Sequence, residues 1–280
     1  MILVTGGNGG LANNLRLYIS QNKSLFLDID ELDICSYNAV KELFNKYNIE
    51  FIFHFAAYTN VDNAEIEKEK CFNVNVIGTQ NLTEFSIKFN IPILYISTDY
   101  IFDGTKPITE CYTEEDKPNP INYYGWTKLK GEEEILKNKK HFIIRTEWLY
   151  GQNSQKKNFV SNLVNKIKNN EEIKIVSDQY GTLTSYNTVN LVILELIKNN
   201  KFGIYNVVNY GYSSRLDIAL FIANFFNFKK SIKEIKTVNT NDTAKRPLNS
   251  KLALNKLLKT INIKIPDWQN ELINYLQFFK

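Results

Sequence analysis

The sequence predicts an α/β fold, a doubly wound parallel sheet joined by a smaller C-terminal substrate domain, and three observations carry that prediction. Short apolar, β-rich runs alternate with longer segments of helical period through the first half of the chain. The runs are apolar at successive positions, so both faces are buried, as they are when helices cover both sides of a parallel sheet. A glycine-rich turn directly follows the first run, where a right-handed strand–helix–strand crossover begins.

In chain order the runs are "MILVT", "SLFLDI", "EFIFHFAA", "IPILYIST" and "HFIIRT", which place a dinucleotide-binding domain over residues 1–150. After Tyr150 the elements shorten. Helices are expected over 157–169, 187–199 and 214–227, strands over 173–176 and 203–208, and an amphipathic helix after Asp267. These form a domain over 151–280 that mainly binds substrate, with helix 187–199 able to pack back on the first domain. No glycine- or proline-rich linker, repeat or low-complexity segment separates the two parts, so they are expected to pack closely.

A chain of 280 residues with 44% hydrophobic content can bury a substantial core. Its net charge of +4 comes from lysines dispersed among acids, and the densest basic run, "KNKKH", reads as a solvated helix end, so no nucleic-acid partner is expected. Cys35, Cys71 and Cys111 are scattered, with no Cys-x-x-Cys or Cys/His cluster, which predicts reduced thiols and no metal site. No apolar run approaches the roughly 20 residues of a membrane helix. The opening "MILVTGG" leaves no room for a secretory leader before the first strand, so a cytoplasmic protein is expected.

The turn after the first strand, "VTGGNGGLANNL", contains Gly6-x-x-Gly9-x-x-Ala12, a Rossmann-type fingerprint. Glycines let the backbone turn tightly and approach a pyrophosphate, so Gly6, Gly9, Gly10 and Leu11 are candidate cofactor residues. The second strand ends in "LFLDIDELDI", where Asp28 or Asp30 can bond the adenosine ribose and would repel a 2′-phosphate. Between NADH and NADPH this leans to NADH. Asp33 and Ile34 stand where the next loop can meet adenine. At the end of the third strand, small Ala56 and Ala57 let the cofactor lie close to the chain, with Tyr58 and Thr59 beside phosphates and ribose. His54, inside that strand, reads as a buried, hydrogen-bonded histidine.

The fourth strand ends at Ser97-Thr98-Asp99-Tyr100, placing hydroxyls at the carboxyl edge where ligands bind in this architecture, Ser97 toward the cofactor and Thr98 toward the substrate. Two Tyr-x-x-x-Lys matches follow strands, Tyr37–Lys41 and Tyr124–Lys128, about the number chance would give, so spacing alone decides nothing. Only Tyr124 and Lys128, one turn apart on a helix face, follow a strand-end hydroxyl. The residue types fit carbonyl reduction: a hydride arriving at carbon leaves an alkoxide that needs a proton. A free tyrosine, with a pKa of ~10, relays protons poorly at neutral pH. A nearby ammonium favours phenolate and can hold ribose hydroxyls as well.

With "GGNGGLA", "AAYTNVDNAE", "STDYIFDG", "NYYGWTKLKGE", "RTEWLYG", "DQYGTLTS", "RPLNSKLALNKL" and "PDWQ" in this order, the chain resembles, over nearly its full length, the extended short-chain dehydrogenase/reductase superfamily and within it the dTDP-4-dehydrorhamnose reductase family. The resemblance implies reduction of the 4-keto group of dTDP-4-dehydro-β-L-rhamnose to dTDP-L-rhamnose for cell-surface polysaccharide synthesis, with Tyr124 as proton donor, Lys128 as its partner and Thr98 as third member. It places Asp99 and Trp148 against the sugar, gives Arg246, Asn249, Ser250 and "DQYGTLTS" to the nucleotide-sugar pocket, and implies a homodimer. Arg246 suits a diphosphate because its fork binds oxygens bidentately.

The chain departs from the family pattern at Ala12, where a third glycine is common, at Leu183, where proline is usual, and at Glu147, where a small residue is frequent. The last two bear on which sugar is accepted. Related 4,6-dehydratases follow the strand-end threonine with an Asp-Glu pair, and here Tyr100 follows Asp99. A 4-keto reductase or C4 epimerase for another nucleotide sugar remains open, as does a non-catalytic dinucleotide-binding regulatory subunit. The presence of Thr98, Tyr124 and Lys128 speaks against the last.

Overall fold

The computed structural model describes residues 1–152 and 158–280. Strands β1 (Ile2–Thr5), β2 (Ser24–Leu27), β3 (Phe51–His54), β4 (Ile93–Thr98) and β5 (His141–Thr146) join strand Gly203–Asn206 in a six-stranded sheet. From one edge to the other the order is Gly203–Asn206, β5, β4, β3, β1, β2, and every pairing is parallel. The order reverses around β1: β2 lies on one side of it and β3 on the other. A ligand crevice opens beyond the carboxyl ends of strands at such a reversal.

Why these runs form buried strands is visible in their neighbours. Leu3 and Val4, Ile52 and Phe53, Ile93 and Leu94, and Ile143 and Ile144 are each at most 2% exposed, and consecutive strand residues point to opposite faces. On one face Val4, Phe53, Leu94 and Ile144 pack with Val189, Val192, Ile193 and Leu196 of helix Tyr186–Lys198. On the other, Leu3, Ile52, Ile93 and Ile143 pack with Val40 and Phe44 of helix Tyr37–Lys46 and with Leu82 and Phe85 of helix Gly78–Lys88.

The second half of the chain thus contributes to the first core twice. Helix Tyr186–Lys198 covers one face of the sheet, and strand Gly203–Asn206, within the 203–208 run, completes its edge with Gly203 opposite Phe142 and Asn206 opposite Arg145. Asn206 is held there by bonds from its side-chain amide to the carbonyls of Tyr112 and Ala253 at 2.9 and 3.3 Å.

The remaining C-terminal elements build their own core. Val160 and Leu163, Ile218 and Ile222, and Trp268 and Leu272 come together from helices Phe159–Lys168, Arg215–Phe225 and Trp268–Leu276. A parallel pair, Ile173–Val176 with Ile232–Ile235, lies beside them. Helix Phe159–Lys168 starts on a capping box between Asn158 and Ser161; Lys157, the expected first residue of that helix, lies outside the described residues. Among the described residues no helix is long and apolar enough to cross a membrane.

Candidate active site

Helix Tyr123–Ile135 begins against the turn that follows β4. Asn122 caps it by accepting the Gly125 N–H at 2.7 Å, and its amide donates to the Lys245 carbonyl at 2.9 Å, so one residue fixes both the helix start and the segment 245–251. A Cβ at Gly125 would lie 2.0 Å from the Tyr100 carbonyl oxygen; only glycine lets the helix come this close. That approach brings the Tyr124 phenol beside the Thr98 hydroxyl, which donates to Asp99 Oδ1 at 3.0 Å and accepts the Tyr100 N–H at 3.2 Å.

Lys128 is 2% exposed, with its ammonium nitrogen 3.9 Å from the centroid of the Tyr95 ring. Burial lowers its pKa to about 7, and the Glu132 carboxylate one turn on opposes that shift. Tyr124 moves the other way from the sequence expectation. Burial foremost, and then the Asp99 charge, push its pKa above that of a free phenol, against the Thr98 hydrogen bond. Burial dominates, and the phenol keeps the proton that a donor must hold.

Two features around this pair carry no local signal in the sequence. Asn75 lies in a π-helical turn, Asn73–Ile77, a device frequent at functional sites. Its side chain accepts the Tyr58 N–H at 2.8 Å and donates to the Tyr58 carbonyl at 3.2 Å and the Thr127 hydroxyl at 3.0 Å, tying the end of β3 to the tyrosine–lysine helix. Glu132 and Arg145, 2% and 3% exposed, form a two-pronged pair at 3.0 and 2.7 Å that fastens the helix to β5.

At the cofactor end, Gly6 holds φ +66°, and a Cβ on it would meet the Ala56 nitrogen at 2.8 Å, so the turn requires glycine. A Cβ at Gly9 would meet only the Gly6 carbonyl oxygen, at 3.1 Å. Gly10 differs: its Cβ would lie 2.6 Å from the Tyr186 hydroxyl, so this glycine serves packing against helix Tyr186–Lys198, and Leu11 is buried in the same core.

Asp28 bridges the glycine turn and the end of β2, accepting the Asn8 N–H at 2.9 Å and the Ile29 N–H at 2.8 Å. Asp30 points to solvent, and Asp33 accepts the Cys35 N–H at 2.9 Å. Ile34 corrects its expected place beside adenine. It is 5% exposed and packs in the core, with Gly78 leaving room for its side chain. Ala56, Ala57 and Tyr58 are half-buried and Thr59 is exposed; the Tyr58 hydroxyl bonds Glu67. Ser97 is 3% exposed, and its hydroxyl has no partner among the described residues. His54 sits between the Thr5 and Thr79 hydroxyls at 2.9 and 3.0 Å, and burial lowers its pKa to about 3; it is neutral.

At the opposite end Trp148 takes a left-handed conformation, φ 47°, and the Arg215 guanidinium lies 3.8 Å from its ring centroid. Ser250, 1% exposed, donates to Glu147 Oε2 at 3.1 Å. Arg246 is engaged by two carboxylates, Asp62 at 2.6 Å and Asp242 at 3.4 Å, so a diphosphate would have to share it with them. Asn249 corrects its expected place against the ligand: its amide nitrogen donates to the carbonyls of Lys106, Pro107 and Glu110, and its oxygen accepts the Lys251 N–H. It ties segment 245–251 to the loop at 106–110. Leu183 is fully buried in the C-terminal core.

The chain matches the family model "RmlD substrate binding domain" over residues 1–280. It is 34% identical over 289 residues to the dTDP-4-dehydrorhamnose reductase of Aggregatibacter actinomycetemcomitans, covering 98% of this chain and 97% of the relative. The crystal structure of the Bacillus anthracis dTDP-4-dehydrorhamnose reductase in complex with NADP superposes with a TM-score of 0.93 at 33% identity, covering 99% of this chain and 98% of that one. A dTDP-glucose 4,6-dehydratase from Streptomyces venezuelae, 14% identical with a TM-score of 0.86 and covering 99% of this chain and 96% of that one, shares the fold. By full-length match and by identity above 30%, the chain belongs to the dTDP-4-dehydrorhamnose reductase family.

Proposed function

We propose that the chain reduces the 4-keto group of dTDP-4-dehydro-β-L-rhamnose to dTDP-L-rhamnose with a reduced nicotinamide cofactor. The observation that carries this reading is the juxtaposition of Tyr124, Thr98 and Asp99 beside buried Lys128, at the carboxyl edge of a sheet whose first turn requires glycine at Gly6. The cofactor supplies a hydride to the carbonyl carbon. Tyr124 gives its phenolic proton to the oxygen as the carbonyl electron pair moves onto it, and Thr98 orients that oxygen. The Lys128 ammonium stabilises the phenolate left behind and holds ribose hydroxyls.

Residues 1–150 hold mainly the cofactor and residues 151–280 mainly the nucleotide sugar. Asp28 favours NADH, because a carboxylate at the ribose position repels a 2′-phosphate. A homodimer in the cytoplasm belongs to the same reading on family membership alone. The test is consumption of NADH or NADPH on adding dTDP-4-dehydrorhamnose, followed by a panel of 4-keto sugar nucleotides. Turnover with the dTDP sugar is expected. Turnover only with a GDP- or CDP-linked sugar would keep the mechanism and replace the substrate; silence across the panel would sink the reading.

A further inference from the structure

The sugar end contains a second acid that the reaction above does not use. β4 and β5 pair Thr98 with Thr146, so Asp99 and Glu147 leave neighbouring strand ends side by side; they are 3% and 1% exposed. Ser250 lies between them, its hydroxyl donating to Glu147 Oε2 at 3.1 Å, and the Thr182 N–H faces the Glu147 carboxyl. Gly181 makes the room: a Cβ there would lie 2.3 Å from Glu147 Oε2.

One oxygen on each acid, Asp99 Oδ2 and Glu147 Oε1, has no hydrogen-bond partner among the described residues. Buried carboxyl oxygens left so are costly unless a ligand completes them. Burial raises the pKa of Asp99 to about 6, with Ser250, Thr98 and Arg215 opposing. Burial, and then the Asp99 charge, raise that of Glu147 well above the ordinary carboxylate range. Of the two acids Glu147 is pushed the further toward its protonated form, so the pair offers a donor beside an acceptor, the complement of a hydroxyl group, which both accepts and donates. Asp99 adjoins Thr98, which orients the keto oxygen, so the hydroxyl that reaches the pair is on the ring carbon next to the ketone. In a 4-keto-6-deoxyhexose that is the C3 hydroxyl, because the other neighbour, C5, bears the methyl group.

We propose that Glu147, together with Asp99, reads the C3 hydroxyl of the sugar and is a specificity-determining residue of this reductase. The inference rests on the 4-ketoreductase reading above. Its test is kcat/KM for dTDP-4-dehydrorhamnose and for the analogue lacking the C3 hydroxyl, in wild type, Glu147→Ala and Glu147→Gln. Wild type is expected to prefer the hydroxylated sugar by on the order of 10,000-fold. That ratio should fall below about 10-fold in the alanine variant and to an intermediate value in the glutamine variant, whose amide still donates. A merely structural role would lower both substrates together and leave the ratio unchanged, which overturns the proposal, as does a wild type indifferent to the hydroxyl. If the alanine variant does not fold, an unchanged ratio in the glutamine variant overturns it and a lowered one supports it. Wild type inert with both sugars removes the reductase reading and this inference with it.

Discussion

Helices Tyr37–Lys46 and Tyr123–Ile135 each follow a side-chain cap, Ser36 and Asn122, and each places a lysine one turn after a tyrosine. In the first, Tyr37 is 47% exposed and its ring leans on Phe85 with centroids 5.3 Å apart, while Lys41 is exposed. In the second, Lys128 is 2% exposed and Tyr124 lies beside the hydroxyl of Thr98. The side chains and their spacing are the same. The second helix is pressed onto the turn after β4 at Gly125 and clamped to β5 through Glu132 and Arg145, and that enclosure changes both proton affinities. Reactivity here is a property of what covers the pair.

The sharpest way to break this contrast is to remove each phenol. Tyr124→Phe should lower kcat about 1,000-fold with cofactor binding retained, the scale of a lost general acid, whereas Tyr37→Phe should stay within about 2-fold; steady-state kinetics decide. Comparable losses in both would end the distinction. Next, Glu132→Ala strands the buried Arg145 guanidinium and should cost about 3–5 kcal/mol in urea unfolding. Glu42→Ala, on the exposed helix, should cost no more than about 0.5 kcal/mol.

The smallest effect is in pH. The Lys128 pKa is lowered from 10.5 to about 7, so its ammonium is lost as pH rises through that value, and kcat/KM for the cofactor should fall about 10-fold per unit above it. The unfolded chain still binds this proton up to about 10.5, so the same group makes folding stability rise with pH between about 7 and 10.5. Lys41→Ala should leave both profiles unaltered. A basic limb near 10 instead of 7 would show that Lys128 is not held as buried as described.

Much of this was legible in the residues because it is local. Doubly apolar runs specify strands buried on both faces, the glycines at 6 and 9 specify the turn, and Thr98 with Tyr124 and Lys128 specify the reactive group once the strand order is known. What stayed hidden is what the fold assembles from distant segments. Arg246 meets Asp62 across 184 positions and Ser250 meets Glu147 across 103, pairings that no spacing encodes. Ile34 read as a loop residue facing adenine because nothing nearby announces Gly78, which opens the core to it. Asn249 read as a ligand contact because its carbonyl partners in 106–110 have no side-chain signature.

Strand Gly203–Asn206 has a consequence for how the chain is made. Until it pairs with β5, the growing polypeptide presents an unsatisfied edge flanked by Ile143 and Ile144, a template for association with other nascent chains. The amino-terminal half cannot mature on the ribosome ahead of the rest. Its last strand and the helix that shields one face of the sheet are synthesised only after residues 151–185, so the cofactor half is completed only once the chain extends past Asn206, and a fragment ending near residue 150 would be a poor vehicle for studying cofactor binding alone.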